Sequence, residues 1–197
     1  MAVIETIEPV VRICAVISRY ESAIDWGVSR LKEEWGPVEH QSHSLPFEAN
    51  GFYDQQMGTN LKKVLVAFAD LCEPGGLADW KHWTNQLERN YAKLSAHDQS
   101  RPLNLDCGYV TQAKLVLATT KDRDHRLYLH SGIFAEVTLN YVGKKWIHHR
   151  WTYPDYRTDP VARFAQSCRD QVRRQVKLSG EIRHREVRND GMSEEDQ

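Results

Sequence analysis

The sequence lacks most of the features that would place it quickly in a well-known class. Its four cysteines are scattered and include no C-x-x-C pair, so neither a disulfide framework nor a zinc ribbon is indicated. No run approaches the roughly 18 apolar residues of a membrane span, and the first nine residues do not resemble a signal peptide. We therefore expect a soluble, cytoplasmic protein with free thiols and no membrane contact.

The chain also has no large excess of charge and no familiar catalytic motif. Its formal net charge of −1 argues against a dedicated nucleic-acid binder, which would carry a clear basic excess. There is no G-x-x-x-x-G-K-[ST] loop to cradle a triphosphate. There is also no H-E-x-x-H and no Cys/His quartet with zinc spacing, so we expect no metal site. The sequence specifies neither a cofactor nor an oligomeric state.

What the chain does contain is the pattern of one α+β domain. Its 197 residues suit a single domain, and 41% hydrophobic with 27% charged residues is ordinary for a globular protein. The first part reads strand, helix, strand, strand, helix, strand, which is the order of a ferredoxin-like unit. The predicted segments are 10–18, 22–35, 38–47, 61–71, 77–94 and 103–111. Ser22 is the predicted N-cap of the first helix.

The second half is richer in strands. Apolar alternation predicts further strands at 113–121, 126–130, 133–142 and 145–152. Their short joints favour antiparallel neighbours. A third helix should begin at 158–160, with Pro at its first position. We predict a single α+β domain over 1–177 with three main helices and a mostly antiparallel sheet, followed by a charged, disordered tail over 178–197.

Five phrases of the sequence match a known family pattern. They are YDQQMG at 53–58, LNLDCGY at 103–109, KLVLATTKDRDHRLYL at 114–129, GIFAEVTLNY at 132–141 and WTYPDYR at 151–157. Together they resemble the uncharacterised bacterial domain-of-unknown-function family 4416. The resemblance implies no activity, because none is established for the family. The family pattern has Pro in the place of Cys107, which implies that Cys107 is not an essential thiol.

The first group of candidate site residues lies in LNLDCGY. Alternation places Asn104 and Asp106 on one face of a strand, and Gly108 allows a bend before Tyr109. A carboxylate and an amide aimed at one pocket would explain this pattern. The alternative is an Asx-type turn on a solvated face.

The second group surrounds the turn KDRDH and the following strand. Lys121 and Arg126 could grip a phosphate or carboxylate, and His125 could act as a general acid or base. The alternative is an exposed charged turn. Glu136 interrupts an apolar strand, so it should face a cation, for which Lys114, Lys121 and Arg126 are candidates. A purely structural ion pair would show the same pattern.

Tyr153 and Asp155 complete the candidates. They could form one wall of a ligand cleft, or an aromatic corner that plugs the sheet. Our leading hypothesis is an enzyme or binding domain for a small anionic, for example phosphorylated, metabolite. The assigned catalytic residues are His125, Glu136 and Asp106, and the assigned ligand-binding residues are Lys121, Arg126, Lys114, Asn104, Tyr109, Tyr153 and Asp155. The alternatives are a non-enzymatic protein-interaction domain, and a nucleic-acid-associated protein that uses the basic third helix and tail.

Overall fold

The computed structural model describes residues 7–47, 51 and 53–178. They form a single α+β domain, in which one antiparallel sheet carries helices on both faces. No helix in these residues is long and apolar enough to cross a membrane. The tail predicted to be disordered lies outside the described residues, apart from Leu178, which ends the last helix.

The structure contains nine strands and four α-helices in its described part. The strands are β1 (Val10–Ser18), β2 (Val38–Gln41), β3 (Leu45–Phe47), β4 (Leu61–Cys72), β5 (Asn104–Val110), β6 (Lys114–Thr119), β7 (Arg126–Tyr128), β8 (Phe134–Val142) and β9 (Lys145–His148). The helices are α1 (Glu21–Trp35), α2 (Asp54–Met57), α3 (Leu77–Leu94) and α4 (Asp159–Leu178), and α2 is a single turn. The three long helices, α1, α3 and α4, are the ones that the sequence predicts.

The sheet begins as a ferredoxin-like unit and then continues. Along its main path the strand order is β2-β4-β1-β5-β6-β8-β7. The first four strands in this order, with α1 and α3 on one face, are the predicted ferredoxin-like half. The remaining strands extend the sheet beyond β5, while β3 joins β4 and β9 joins β8 at the outer edges.

Strand alternation divides the core between two faces of the sheet. On what we call the α3 face, α1 and α3 cover residues such as Cys14, Val16 and Phe68. On the α4 face, α4 covers their neighbours on the same strands, such as Ile13 and Ala15. The buried stripe of α4 is the one that helical spacing predicts: Val161, Phe164, Ala165, Cys168, Val172 and Val176.

Several predicted boundaries are wrong. The segment 38–47 forms two short strands, β2 and β3, and the strands predicted to reach 121 and 130 end at Thr119 and Tyr128. Ser22 does not cap α1, because the helix already begins at Glu21 and the residue before it, Tyr20, makes no side-chain cap. Instead, the backbone N–H of Tyr20 donates to the hydroxyl of Ser18 over 3.0 Å. The last strand stops at His148, four residues early, since the chain leaves the sheet there.

β5 and β6 pair over only part of their length. They are in register from Gly108 opposite Leu117 to Val110 opposite Leu115. A Cβ on Gly108 would lie 2.2 Å from the carbonyl oxygen of Val116, so the missing side chain allows this close approach. Before Gly108, residues 104–107 pair with β1 but with no other strand in the described chain. The sheet therefore opens between β5 and β6, and this opening positions the candidate site.

Candidate functional site

Two charged side chains of α3 fill the opening between β5 and β6. The ammonium of Lys81 donates to the carbonyl oxygen of Leu105 (2.8 Å) and to Oδ1 of Asp106 (3.2 Å). Two turns further along α3, Oε1 of Glu88 accepts the backbone N–H of Leu105 over 2.8 Å. The helix thus satisfies the backbone groups of Leu105 that a neighbouring strand would otherwise engage.

Asp106 lies in this opening as a recessed but accessible carboxylate. Asn104 donates to its Oδ2 over 3.0 Å, and 35% of the Asp106 side chain remains exposed. Burial alone would raise the pKa of this carboxyl, but Lys81 and then Arg101 outweigh burial and hold the pKa below its ordinary value. Asp106 is therefore ionised at neutral pH and within reach of a ligand.

Arg101 stands beside Asp106. Its guanidinium donates to Oε2 of Glu88 over 2.9 and 3.1 Å, and also to the side-chain oxygen of Asn104. It lies 5.9 Å from the ring centre of Tyr53, which begins the turn of α2. About a third of the Arg101 side chain, 32%, is exposed. Arg101 can therefore hold Glu88 and still offer positive charge to a ligand.

A second charged group surrounds Glu136 on β8. Oε2 of Glu136 accepts a hydrogen bond from Nε of Arg126 over 2.8 Å, and Nε2 of His125 lies 3.1 Å from the same oxygen. The other nitrogens of Arg126 donate to the carbonyl oxygen of Lys121 (2.9 Å) and the hydroxyl of Tyr153 (3.4 Å). Arg126, directly opposite in the β7–β8 register, is thus the cation that Glu136 faces.

Trp151 holds the chain that follows β9 against the sheet. Its indole N–H donates to the carbonyl oxygen of Val137 over 3.0 Å, at the break between β7 and β9. Its ring is stacked between His125 and His149, with centres 4.9 and 4.6 Å away. This anchor positions Tyr153, which follows two residues later, beside Arg126.

The same segment carries Asp155 to a buried lysine. The ammonium of Lys63, on β4, donates to Oδ2 of Asp155 (2.6 Å) and to its carbonyl oxygen (3.2 Å), and lies 4.0 Å from the ring centre of Tyr156. Lys63 is fully buried, and burial lowers the pKa of its ammonium although Asp155 opposes the shift. The 149–157 segment is therefore anchored to β8 through Trp151 and to β4 through Asp155.

Two buried oxygens of this region have no hydrogen-bond partner among the described residues. They are Oε1 of Glu136 and the hydroxyl of Tyr156, in residues that are 2% and 4% exposed. Burial raises the pKa of Tyr156, and Asp155 and Asp106 raise it further, so its hydroxyl keeps its proton at neutral pH. The Oε1 acceptor of Glu136 and the hydroxyl donor of Tyr156 are thus two buried polar groups beside the 149–157 segment whose hydrogen bonds the described residues do not supply.

The charged groups act on one another across the end of the sheet. Lys121 is largely exposed, but the partial burial of its side chain lowers the pKa of its ammonium. The nearby cations of Arg101, Arg126 and Arg123 lower this pKa further, and Asp106 opposes the shift. Burial raises the pKa of Tyr53, and Asp106 and Tyr153 add to that shift while Arg101 opposes it. Contacts join these groups into two neighbouring clusters: Arg101 lies against Tyr53 and reaches Asp106 through Asn104, and Arg126 binds the carbonyl oxygen of Lys121 and the hydroxyl of Tyr153. We call the accessible groups of the two clusters the mouth: Tyr53, Arg101, Asp106, Lys121 and Tyr153.

Some of the candidate residues lie elsewhere. Tyr109 and Lys114 line a shallow depression of about 130 Å³ on the α3 face, which also touches His125 and Leu127. Asn104, only 2% exposed, supports Asp106 from behind. In the part of the chain that the structure describes, no group of three or more His, Cys, Asp and Glu side chains could hold a metal ion.

The sequence analysis did not assign Lys63, Lys81, Glu88 or Arg101 to the site. The sequence pattern does mark Lys63, Lys81 and Glu88. Lys63 interrupts an apolar alternation on β4, just as Glu136 does on β8, and Lys81 and Glu88 share one side of α3 two turns apart. Arg101 sits in a connecting loop, where neither periodicity nor burial marks it in the sequence.

The fold and the site define an α+β protein whose extended ferredoxin-like sheet carries a cluster of charged groups at one end. Residues 8–172 match the model of a family described as domain of unknown function (DUF4416), and the chain belongs to that family. The match confirms the resemblance carried by the five sequence phrases. No curated protein and no solved structure matches the chain significantly.

Proposed function

We propose that the protein binds a small anionic metabolite at the mouth, with Lys121 and Arg101 holding the anionic group and Asp106 contacting the rest of the ligand. The observation that carries the proposal is Asp106 itself, an ionised carboxylate that is recessed, partly exposed and surrounded by cations. Perturbed, partly accessible groups of this kind gather at functional sites more often than elsewhere.

The residues around Glu136 act on the ligand indirectly. The Arg126 side chain is only 4% exposed, and its nitrogens already contact Glu136, Lys121 and Tyr153. Arg126 therefore serves as a positioning residue, which fixes the backbone of Lys121 and the phenol of Tyr153 at the rim. His125 supports Glu136 from the other side. Of the acids and bases first considered, Asp106 is the most accessible to a bound molecule, with 35% of its side chain exposed against 11% for His125 and 3% for Glu136. Its lowered pKa suits it to accept hydrogen bonds from a ligand.

A thermal-shift panel of phosphorylated and carboxylated metabolites tests this proposal. A ligand at about 100 times its dissociation constant stabilises the native state by roughly 2.7 kcal/mol, which corresponds to a rise in Tm of roughly 5 to 11 °C. We expect Lys121→Ala to remove most of the rise. The matched control is Arg173→Ala, which removes an exposed cation from α4 and should leave the rise intact. A silent panel, or an equal loss in both variants, would contradict the proposal.

A second candidate function, protein interaction, is favoured by one observation. Several large apolar side chains at the outer edge of the sheet are exposed: Leu127 (71%) and Tyr128 (62%) on β7, and Ile147 (44%) on β9. Edge strands with exposed apolar residues are common association sites. Light scattering over a range of concentrations tests self-association, which Leu127→Asp with Tyr128→Asp should then abolish.

Nucleic-acid binding through α4 and the tail is less well supported than metabolite binding or protein interaction. The guanidinium of Arg169 lies 3.8 Å from the ring centre of Tyr141, and Arg174 pairs with Glu39 over 3.2 Å. These two cations of α4 are thus already engaged within the domain.

A further inference from the structure

We infer that the ligand of the mouth is a phosphorylated sugar or polyol, whose hydroxyl groups donate to Asp106 while its phosphate meets Lys121 and Arg101. This inference rests on the proposed function and goes beyond it, because it names the chemistry of both ends of the ligand.

The hydrogen bonds of Asp106 leave room for two donors. Each oxygen receives one donor from the protein: Lys81 at Oδ1 (3.2 Å) and Asn104 at Oδ2 (3.0 Å). A carboxylate oxygen can accept two hydrogen bonds, so each oxygen keeps one further acceptor position. With 35% of the side chain exposed, these positions can be reached from the mouth. Two neighbouring hydroxyls of a sugar or polyol match such a pair of acceptors.

The charges around Asp106 favour neutral donors over an ammonium group. The negative charge of Asp106 is already paired with Lys81, and Arg101 stands beside it, bonded to the same Asn104 side chain that donates to Asp106. An ammonium on the ligand would add one more cation to this group, whereas a hydroxyl donates without adding charge. The same cations favour the dianionic phosphate at the other end of the ligand, since Arg and Lys both bind phosphate well.

Two tyrosines suit the body of such a ligand. The ring centre of Tyr53 lies 5.9 Å from the guanidinium carbon of Arg101, and the hydroxyl of Tyr153 lies 3.4 Å from Nη2 of Arg126, on a different segment of the chain. Tyr153 is 49% exposed and Tyr53 is half-buried. Aromatic side chains offer an apolar face for a carbon ring together with a hydroxyl for its substituents.

Isothermal titration calorimetry of the full chain with matched probes tests the inference. The probes are inorganic phosphate, ribose 5-phosphate, 2-deoxyribose 5-phosphate, glucose 6-phosphate and glucosamine 6-phosphate, with ribose as the uncharged control. We expect at least one of the hydroxyl-rich phosphates to bind tenfold or more tightly than inorganic phosphate. Loss of a contacting hydroxyl should weaken binding by about tenfold, as expected for a hydrogen bond to a charged group. Asp106→Asn should bring that sugar phosphate to the level of inorganic phosphate.

The possible outcomes distinguish a failure of the sugar-phosphate inference from a failure of the proposed anion binding at the mouth. If inorganic phosphate binds as tightly as the sugar phosphates, or if glucosamine 6-phosphate binds best, the hydroxyl inference is wrong and the anion site stands. If neither phosphate nor any phosphorylated probe binds, the inference is wrong, and the proposed function is wrong as well when the carboxylated metabolites of the thermal-shift panel are also silent. The comparison among probes uses the wild-type protein, so it remains decisive even if Asp106→Asn does not fold.

Discussion

The ammonium of Lys81, on α3, lies 3.2 Å from Oδ1 of Asp106, on β5, and reaches it through the opening between β5 and β6. This contact connects the α3 face with the mouth. Lys81 is only 4% exposed, and burial alone would lower the pKa of its ammonium; Asp106 and Glu88 outweigh burial and raise that pKa well above its ordinary value. Lys81 is therefore a permanent cation that keeps Asp106 ionised.

Asp106→Asn should reduce the loss of stability in acid. The folded carboxyl has a lower pKa than the roughly 3.9 of an unfolded Asp, so its contribution to stability is complete above about pH 4. That contribution is lost as the pH falls through the folded pKa. Urea unfolding between pH 6 and 2.5 should show a shallower decline in the variant than in the wild type. Identical slopes would mean that Lys81 and Arg101 do not stabilise the carboxylate.

Glu88→Gln should reduce the loss of stability that occurs as the pH rises, whereas Asp106→Asn reduces the loss that occurs as the pH falls. Burial raises the pKa of Glu88 in the folded protein, although Lys81 and Arg101 oppose the shift. Its contribution to stability is therefore complete below the unfolded pKa of roughly 4.3, and is lost as the pH rises through the folded pKa. Unfolding curves from pH 4 to 7 should decline less in this variant than in the wild type. A steeper decline would refute this assignment.

Lys63→Met should destabilise the protein strongly. The substitution leaves the carboxylate of Asp155, 8% exposed, without its buried cation, and breaking such a pair costs about 3 to 5 kcal/mol. The measurement is the free energy of unfolding in urea. Adding Asp155→Asn removes the uncompensated charge and should restore part of the loss. A single variant within about 1 kcal/mol of the wild type would show that the pair contributes little.

Gly108→Ala should destabilise the protein by about 1 to 3 kcal/mol, as overpacking does. The new Cβ would meet the carbonyl oxygen of Val116 at 2.2 Å and Cδ2 of Leu117 at 2.8 Å, so β5 and β6 must separate. Gly75→Ala is the matched control, because its Cβ would meet only the side chain of Glu73, at 3.4 Å. Calorimetric melting of both variants makes the comparison. Equal Tm values would argue against the close approach of the strands.

The Glu136–Arg126 pair should show a much larger coupling energy than an exposed pair nearby. Its side chains are 3% and 4% exposed, whereas those of Asp124 and Arg150 are 64% and 73% exposed. Double-mutant cycles with Glu136→Gln, Arg126→Met and with Asp124→Asn, Arg150→Met measure both energies. We expect about 1 to 3 kcal/mol for the buried pair and under about 1 kcal/mol for the exposed one. Similar values for the two pairs would contradict the structural role of Glu136.

The sequence predicts the fold well because its patterns are local. The apolar periods of β1, α3 and α4 and the short turns of the second half determine the antiparallel arrangement. The Asp106 site is harder to predict, because Lys81 and Arg101 reach it from separate segments across the opening. That opening depends on where β6 leaves β5, a long-range property that Gly108 indicates only in part. That Glu136 faces a cation was predictable, because a charge within an apolar strand requires a partner. Which of Lys114, Lys121 and Arg126 it faces is decided only by the β7–β8 register, which places Arg126 opposite.

The most direct test of the account locates the bound ligand on the ¹⁵N-labelled protein by two-dimensional NMR during titration with the best-binding sugar phosphate. We predict that the largest shifts in amide resonances fall on the segments around the mouth: 53–57, 101–106, 119–123 and 152–156. Shifts concentrated on Tyr109, Lys114 and Leu127 would place the ligand in the depression on the α3 face instead. Shifts confined to α4 around Arg173 and Lys177 would indicate nonspecific electrostatic binding. Either of these results would contradict a functional site at Asp106.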